Sequence, residues 1–254
     1  MIATKFRNGL FILIIGILFY SGFLIVNATI RAHEKLISFS SSEQILGDSI
    51  PSNTELDSLT RLLAFREAQL ALSKNDSIQL ILDLAGGSAK LSIHSVNILE
   101  SEIRILNEEP LLQTLSSDQY YALFSEPIKI VSVNCTVIKE PIVEIEAPKN
   151  AEEAAANVSL PDTLLQSPSF LRIDLENGIS IFLNQSEMET ENDELVKDQF
   201  VKDFHRNRLK EFFRCLLTFD TFEYHPKITF ELPRSDINAI YRALPNQALV
   251  VLRP

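Results

Sequence analysis

An uncharged run of 18 residues, from Gly9 to Val26, constrains this chain more than any other feature of its sequence. As an α-helix it extends roughly 27 Å, close to the thickness of the hydrocarbon core of a bilayer. The run therefore predicts a transmembrane anchor within residues 1–30, with the remaining chain held at a membrane surface. The anchor residues of this prediction are Gly9, Phe11, Ile14, Gly16, Leu18, Phe23 and Val26.

Cations on the two sides of the run set the expected orientation. Lys5, Arg7 and the amino terminus precede it, whereas Arg31 and Lys35 follow it. Because Lys and Arg are favoured on the cytoplasmic side, we expect a single-pass inner-membrane protein with its C-terminal domain in the periplasm. The alternative is a signal peptide cleaved after Ala28, but the run is longer than the apolar core of most signal peptides.

Composition excludes several classes of partner and cofactor. The net charge of the 254-residue chain is −11, which argues against nucleic acid as a partner, since phosphates attract cations. Only seven glycines are present and none forms a glycine-rich cofactor loop, so we expect neither cofactor nor metal. The two cysteines, Cys135 and Cys215, allow at most one disulfide, and we predict that both are small buried apolar side chains.

Alternating apolar residues predict β-hairpins in two parts of the chain. Residues 77–106 have the pattern of a three-stranded meander, and Asn177-Gly178 joins two apolar runs of a second hairpin. Helical periodicity appears between these hairpins. We therefore predict an α+β protein in which the transmembrane helix is followed by short antiparallel strands and several helices.

Changes of composition divide the part of the chain beyond the anchor. Residues 31–52 are polar and serine-rich and predict a stalk. Residues 147–168 are rich in Ala, Glu, Ser and Pro and predict an exposed linker. The linker separates a first α+β subdomain, 53–146, from a second one, 169–254.

The first predicted helix runs from Thr54 to about Ser73 and carries leucines at spacings of three, four and seven residues. These are Leu56, Leu59, Leu63 and Leu70. The favoured interpretation is a helix whose leucines pack on the domain core. The alternative is a short coiled coil that joins two copies, although Arg66 stands where another leucine is needed to continue the seam.

A second long helix is predicted over about 193–218, and much of its polar surface is basic. The basic residues are Lys197, Lys202, Arg206, Arg208 and Lys210. In an acidic protein this surface is a candidate face for an anionic partner, and the alternative is an ordinary solvated helix face.

The remaining elements follow from local signals. Residues 128–138 predict a strand, and residues 249–252 are consecutive apolar residues that predict a central strand covered on both faces. Ser117 and Ser235 are the predicted N-caps of two short helices. In the strand predicted over residues 128–138, the predicted buried face consists of Val131, Val133, Cys135 and Val137.

A search for catalytic motifs finds none of the common ones. The histidines, His33, His94, His205 and His225, lack the spacing of zinc-binding pairs. His205 and Cys215 lie ten residues apart on one predicted helix, about 15 Å along its axis, and cannot act as base and nucleophile.

Two segments resemble L,D-transpeptidase domains of the bacterial envelope. The meander IQLILDLAGGSAKLSIHSVNILESEIRI is similar to the opening strands of those domains, and the ending DINAIYRALPNQALVVLRP is similar to their last helix and strand. The catalytic signature of the family, a histidine and then Ser-His-Gly-Cys followed by an arginine, is absent from this chain. The resemblance therefore implies a related scaffold without that activity.

These patterns together favour a non-enzymatic, membrane-anchored bacterial envelope protein that binds a partner or supports an assembly. The partner is another envelope protein or a second copy of the chain. The alternative is an enzyme acting on cell-wall peptidoglycan, or an inactive relative of one. A pocket with convergent polar groups around the cysteines and histidines would favour that alternative.

Overall fold

The computed structural model describes residues 2–38, 54–108, 110–139, 167–245 and 247–254. Its helices are α1 (Ile2–Ser38), α2 (Thr54–Leu72), α3 (Pro110–Gln113), α4 (Ser117–Phe124), α5 (Glu191–Thr218) and α6 (Arg234–Ala243). Its strands are β1 (Gln79–Asp83), β2 (Ser88–Ile93), β3 (Val96–Glu102), β4 (Arg104–Glu108), β5 (Ile128–Cys135), β6 (Phe170–Leu175), β7 (Ser180–Gln185), β8 (Lys227–Leu232) and β9 (Leu249–Arg253). The α+β class is confirmed. Most of the predicted stalk and linker lies outside the described residues.

The described strands form one mixed sheet in the order β3-β2-β1-β9-β5-β6-β7-β8-β4. Most neighbours are antiparallel, but β1 pairs with β9 and β7 pairs with β8 in parallel. The prediction of antiparallel strands alone is therefore wrong. The long helix α5 explains the second parallel pair, because it returns the chain from the end of β7 to the start of β8, as a parallel connection requires.

The sheet closes on itself. Strands β3 and β4 lie at opposite ends of the strand order, yet only Ile103 separates them in the chain. The two edges must therefore meet, and the sheet must curl into a barrel-like enclosure. The amide of Ile103 donates to the carbonyl of Gly87 at 2.8 Å, which extends the pairing of β3 with β2 as far as Ile103.

The interior of this enclosure is the main hydrophobic core. Alternate residues of the strands point inward, as the period of two in a β-strand requires. The fully buried ones include Leu80, Leu82, Ile130, Leu171, Ile173, Ile181, Leu183, Ile228, Phe230, Leu232, Val250 and Leu252. Helices α4 and α6 add Phe124, Ile237 and Ile240 to the same core.

Among the described helices, α2 and α5 pack on the outside of the sheet. Phe65, Ala68 and Leu72 of α2 pack on Ile81 of β1 and Val251 of β9. On the opposite side of the molecule, α5 packs its aromatic residues on β6 and β7, with the Phe204 ring 5.1 Å from the Phe182 ring. Strand β9 is therefore covered on both faces and lies between β1 and β5, so the prediction of a central C-terminal strand is confirmed.

The predicted membrane anchor is wrong. None of the helices that the structure describes combines the length and the apolar character needed to cross a bilayer. The apolar run instead belongs to α1, which continues beyond Asn27 to Ser38 and packs on protein through Leu24, Ala28 and Ala32. The Tyr20 ring lies 5.4 Å from that of Phe219 at the end of α5.

The predictions that rested on the anchor fall with it. These are the transmembrane helix in the fold class, the single-pass signal anchor, and the inner-membrane localisation with a periplasmic domain. Among the predicted anchor residues, the side chains of Phe11, Leu18, Phe23 and Val26 are exposed on α1.

Three local predictions also need correction. In β5, Val131 is 67% exposed, because a register shift between Ile130 and Ser132 reverses the facing of the strand. Ile130 therefore points inward before the shift, and Val133 and Cys135 face the core after it. The N-cap of α4 is Ser116, which forms a capping box, and α6 begins after Pro233 without a side-chain cap.

Candidate functional site

The leucines of α2 lie at the surface. Their exposed fractions are 44% for Leu56, 60% for Leu59, 52% for Leu63 and 66% for Leu70. We call these four residues the leucine seam. The core-facing residues of α2 are instead Ala64, Phe65, Ala68 and Leu72. The favoured prediction, in which the leucines pack on the core, is therefore wrong.

The leucine seam lies opposite the buried face of α2. At about 100° per residue, the four leucines fall within a stripe roughly 60° wide, and the buried residues are centred on roughly the other side of the helix. A narrow stripe with spacings of three, four and seven residues is the pattern of a coiled-coil seam.

Contacts with α4 hold α2 in this orientation. The Arg61 guanidinium lies 4.4 Å from the centre of the Tyr120 ring. The hydroxyl of Ser117 donates to Asp57, and this hydrogen bond, with the charge of Arg61, lowers the pKa of the Asp57 carboxyl despite the opposing effect of burial. The seam is therefore presented by a helix that is already formed and fixed in place.

The predicted basic face of α5 is largely paired within the helix itself. Lys202 lies 3.4 Å from Asp198, Arg206 lies 2.9 Å from Asp203, and Arg208 lies 2.8 Å from Glu211. Exposed pairs of this kind contribute little to stability, but they reduce the charge available to a partner. Of the other two residues, Lys197 is half-buried and Lys210 is exposed. An anionic partner for this face stays a prediction.

The two cysteines occupy structural positions. Both thiols are free, and the buried Cys215 donates to the carbonyl of Thr221 at 3.5 Å. Cys135 is half-buried beside the core, and burial raises the pKa of its thiol. A raised pKa favours the thiol over the nucleophilic thiolate. Neither site has the electropositive, accessible surroundings of a catalytic cysteine.

Among the histidines whose side chains the structure describes, His225 is the most enclosed, but its surroundings leave little room. Its Nδ1 lies 3.0 Å from the carbonyl of Gly178, so Nδ1 is the donor nitrogen. Burial, and then the nearby charge of Arg208, lowers the pKa of His225 and favours the neutral ring. The adjoining cavity, which Arg31 and Asn177 help to line, measures about 70 Å³. This volume suits water molecules better than an organic substrate.

Within the described residues, no group of three or more His, Cys, Asp or Glu side chains is placed to hold a metal ion. The surface of α2 is thus the feature that most clearly calls for a function. No protein-family model, curated protein or solved structure matches the chain. The resemblance to L,D-transpeptidase domains therefore stays a prediction.

Proposed function

We propose that this chain is a non-enzymatic, assembly-supporting protein, and that two copies associate through the leucine seam of α2. The observation that carries the proposal is the exposure of four heptad-spaced leucines on the side of α2 that faces away from the core. Exposed apolar side chains are common singly, but a continuous stripe on a rigid helix is typical of an interaction surface.

A second copy is the occupant that fits this pattern best. A heptad seam is self-complementary, since its apolar knobs fit the holes of an identical helix. The seam extends over 15 residues, from Leu56 to Leu70, or roughly 21 Å along the helix. An antiparallel arrangement keeps the two Arg66 guanidinium groups apart, whereas a parallel one in register brings them together. A two-fold axis across α2 therefore packs the leucines of the two copies together and keeps their Arg66 side chains apart.

The fixed position of α2 makes a short seam sufficient. An isolated helix of this length is only marginally stable in water, because its first turn is costly to form. The pairing of two such helices then has to stabilise the helices themselves. Here the packing of Phe65, Ala68 and Leu72 on the sheet already holds the helix. Association therefore loses less conformational freedom, and more of the apolar burial contributes to affinity.

Replacing Leu63 with Glu tests this proposal. We expect the parent chain to sediment as a dimer and Leu63→Glu to sediment as a monomer, because two carboxylates would have to be buried at the centre of the seam. Sedimentation equilibrium of the full chain gives the mass of each variant. Leu63 is half exposed, so circular dichroism should show an unchanged fold.

Leu217→Glu is the matched control, because Leu217 is a 78% exposed leucine on α5. This variant should remain a dimer. A monomeric parent would overturn the proposal, as would a dimer that dissociates with Leu217→Glu but persists with Leu63→Glu.

The peptidoglycan-directed alternative gains no support from the geometry around the two cysteines and His225. Cys215 is bound to the backbone, Cys135 is a thiol of raised pKa, and the cavity beside His225 is too small for a sugar or peptide.

A further inference from the structure

A polar cleft lies between the C-terminal half of α2 and the outer face of β1 and β2. Its volume is about 390 Å³, within the range of small-molecule sites in proteins. The polar side chains that line it and matter for its chemistry are Arg66, Gln69, Gln79, Lys90, Ser92 and Asn97. Leu70 of the leucine seam and Arg66 line one side of the cleft, so the cleft adjoins the seam.

Two polar atoms at the floor of the cleft have no hydrogen-bond partner among the described residues. Gln79 and Ser92 face each other across the β1–β2 pair, and each side chain is only 1% exposed. Among the residues that the structure describes, nothing forms a hydrogen bond with Gln79 Oε1 or Ser92 Oγ. Buried polar atoms in proteins are nearly always satisfied, and both of these belong to side chains that line the cleft. A ligand with hydroxyl groups supplies the hydrogen bonds that these two atoms lack.

The charges around the cleft select the ligand further. Lys90 is paired with Glu100 at 2.7 Å, so its charge is already compensated. Arg66 is exposed, and its described hydrogen bond is to the neutral Gln69 side chain at 2.9 Å. One net positive charge suits a single carboxylate, for which the guanidinium fork is the preferred partner. A ligand ammonium group would instead meet Arg66 as a like charge.

We propose that this cleft binds a small hydroxylated monocarboxylate of the sugar-acid class. Arg66 binds the carboxylate. Gln79 Oε1 accepts a hydrogen bond from one ligand hydroxyl, and Ser92 Oγ exchanges a hydrogen bond with another. The turn between β2 and β3 completes the rim of the cleft. Ser95 lies in this turn with a φ of 66°, and it also lines the cleft.

Calorimetric titration of the full chain with D-glucuronate tests the proposal, with D-glucose and inorganic phosphate as comparison ligands. We expect saturable binding of glucuronate, at least tenfold weaker binding of glucose, and no competition by phosphate. Absence of glucuronate binding up to about 10 mM, a weak affinity for any small ligand, would overturn the proposal. Equal affinity for glucose or phosphate would overturn the assigned ligand class.

The Ser92→Ala variant links the binding to the cleft, and Ser101→Ala is its matched control. Ser101 is also a buried serine, and its hydroxyl has no hydrogen-bond partner among the described residues, but it does not line the cleft. We expect Ser92→Ala to weaken the binding of glucuronate at least tenfold and Ser101→Ala to leave its affinity unchanged.

Thermal unfolding without ligand separates a binding role from a structural one. Ser92→Ala removes a hydroxyl that makes no hydrogen bond within the described protein, so it should melt no lower than Ser101→Ala. Unchanged glucuronate affinity in Ser92→Ala would contradict the assignment, and so would a lower melting temperature than the control in the absence of ligand.

Discussion

Removal of residues 247–254 should abolish the cooperative unfolding transition of the chain. Strand β9 lies between β1 and β5, and Val250, Val251 and Leu252 are buried on its two faces. Fully burying one such side chain contributes roughly 1.5–3 kcal/mol, so three contribute about 5–9 kcal/mol. This is of the same order as the stability of a whole domain. The deletion also exposes the edges of β1 and β5 at the centre of the sheet.

Thermal unfolding followed by circular dichroism measures this effect. Removal of Pro254 alone is the matched control, because Pro254 lies beyond the last residue of β9. The control should keep the parent transition. If the longer deletion also kept a cooperative transition near the parent temperature, β9 would not be part of the core.

Replacing Arg234 with Met should destabilise the fold by about 3 kcal/mol. Asp193 is buried, and Arg234 lies 3.2 Å from its Oδ2 atom. Removing the cation leaves the carboxylate buried without its charged partner, and such changes cost roughly 3–5 kcal/mol. Urea unfolding gives the difference directly. The double variant Asp193→Asn/Arg234→Met should recover part of the loss, since it removes the buried charge.

The pH dependence gives an independent check on this pair. Burial raises the pKa of Asp193, but amides of Glu189 and Thr190, the Thr190 hydroxyl and the charge of Arg234 together lower it below its ordinary value. The ionised carboxylate therefore contributes stability above about pH 4, the ordinary pKa of Asp, and this contribution is lost as the pH falls through the lowered pKa. The difference in the free energy of unfolding between Arg234→Met and the parent should therefore shrink over the same acidic range. A gap that is constant with pH would show that the ion pair is not its source.

Strand positions were predictable because the alternation of apolar and polar residues in a strand can be read directly from the sequence. The hairpins around Gly87 and Gly178 match runs with a period of two, and both glycines have positive φ. The facing of β5 was not predictable, since the shift near Val131 arises in the pairing with β6 rather than in β5 itself. A bulge of one residue reverses every later side chain, and no local pattern announces it.

Helix faces were harder to assign because apolar size is a poor guide to contact. In α2 the large leucines are exposed, while Ala64 and Ala68 are fully buried. Small residues let a helix approach a sheet closely, so the contact face contained fewer large side chains than the surface. In α1 the long apolar run predicted a bilayer span. The structure instead shows Leu24, Ala28 and Ala32 packed on protein.

The two surfaces proposed above, the leucine seam and the cleft, differ in how clearly the sequence indicates them. The leucine seam was visible as a heptad pattern, although the sequence did not say which way it faces. The cleft was not foreseen. Gln79 and Ser92 are ordinary polar residues on the outward face of two strands, and the packing of α2 beside those strands makes them part of a cleft.

The pairing of β1 with β9 has a consequence for how the chain is made. Leu80 in β1 pairs with Val250 in β9, 170 positions later in the chain. During synthesis, β1 therefore leaves the ribosome long before its partner exists, and its free edge stays open to pairing with other chains. Contacts so distant in sequence also slow folding, because a long loop must close before they form. The native sheet is thus completed only after β9 has emerged, long after β1.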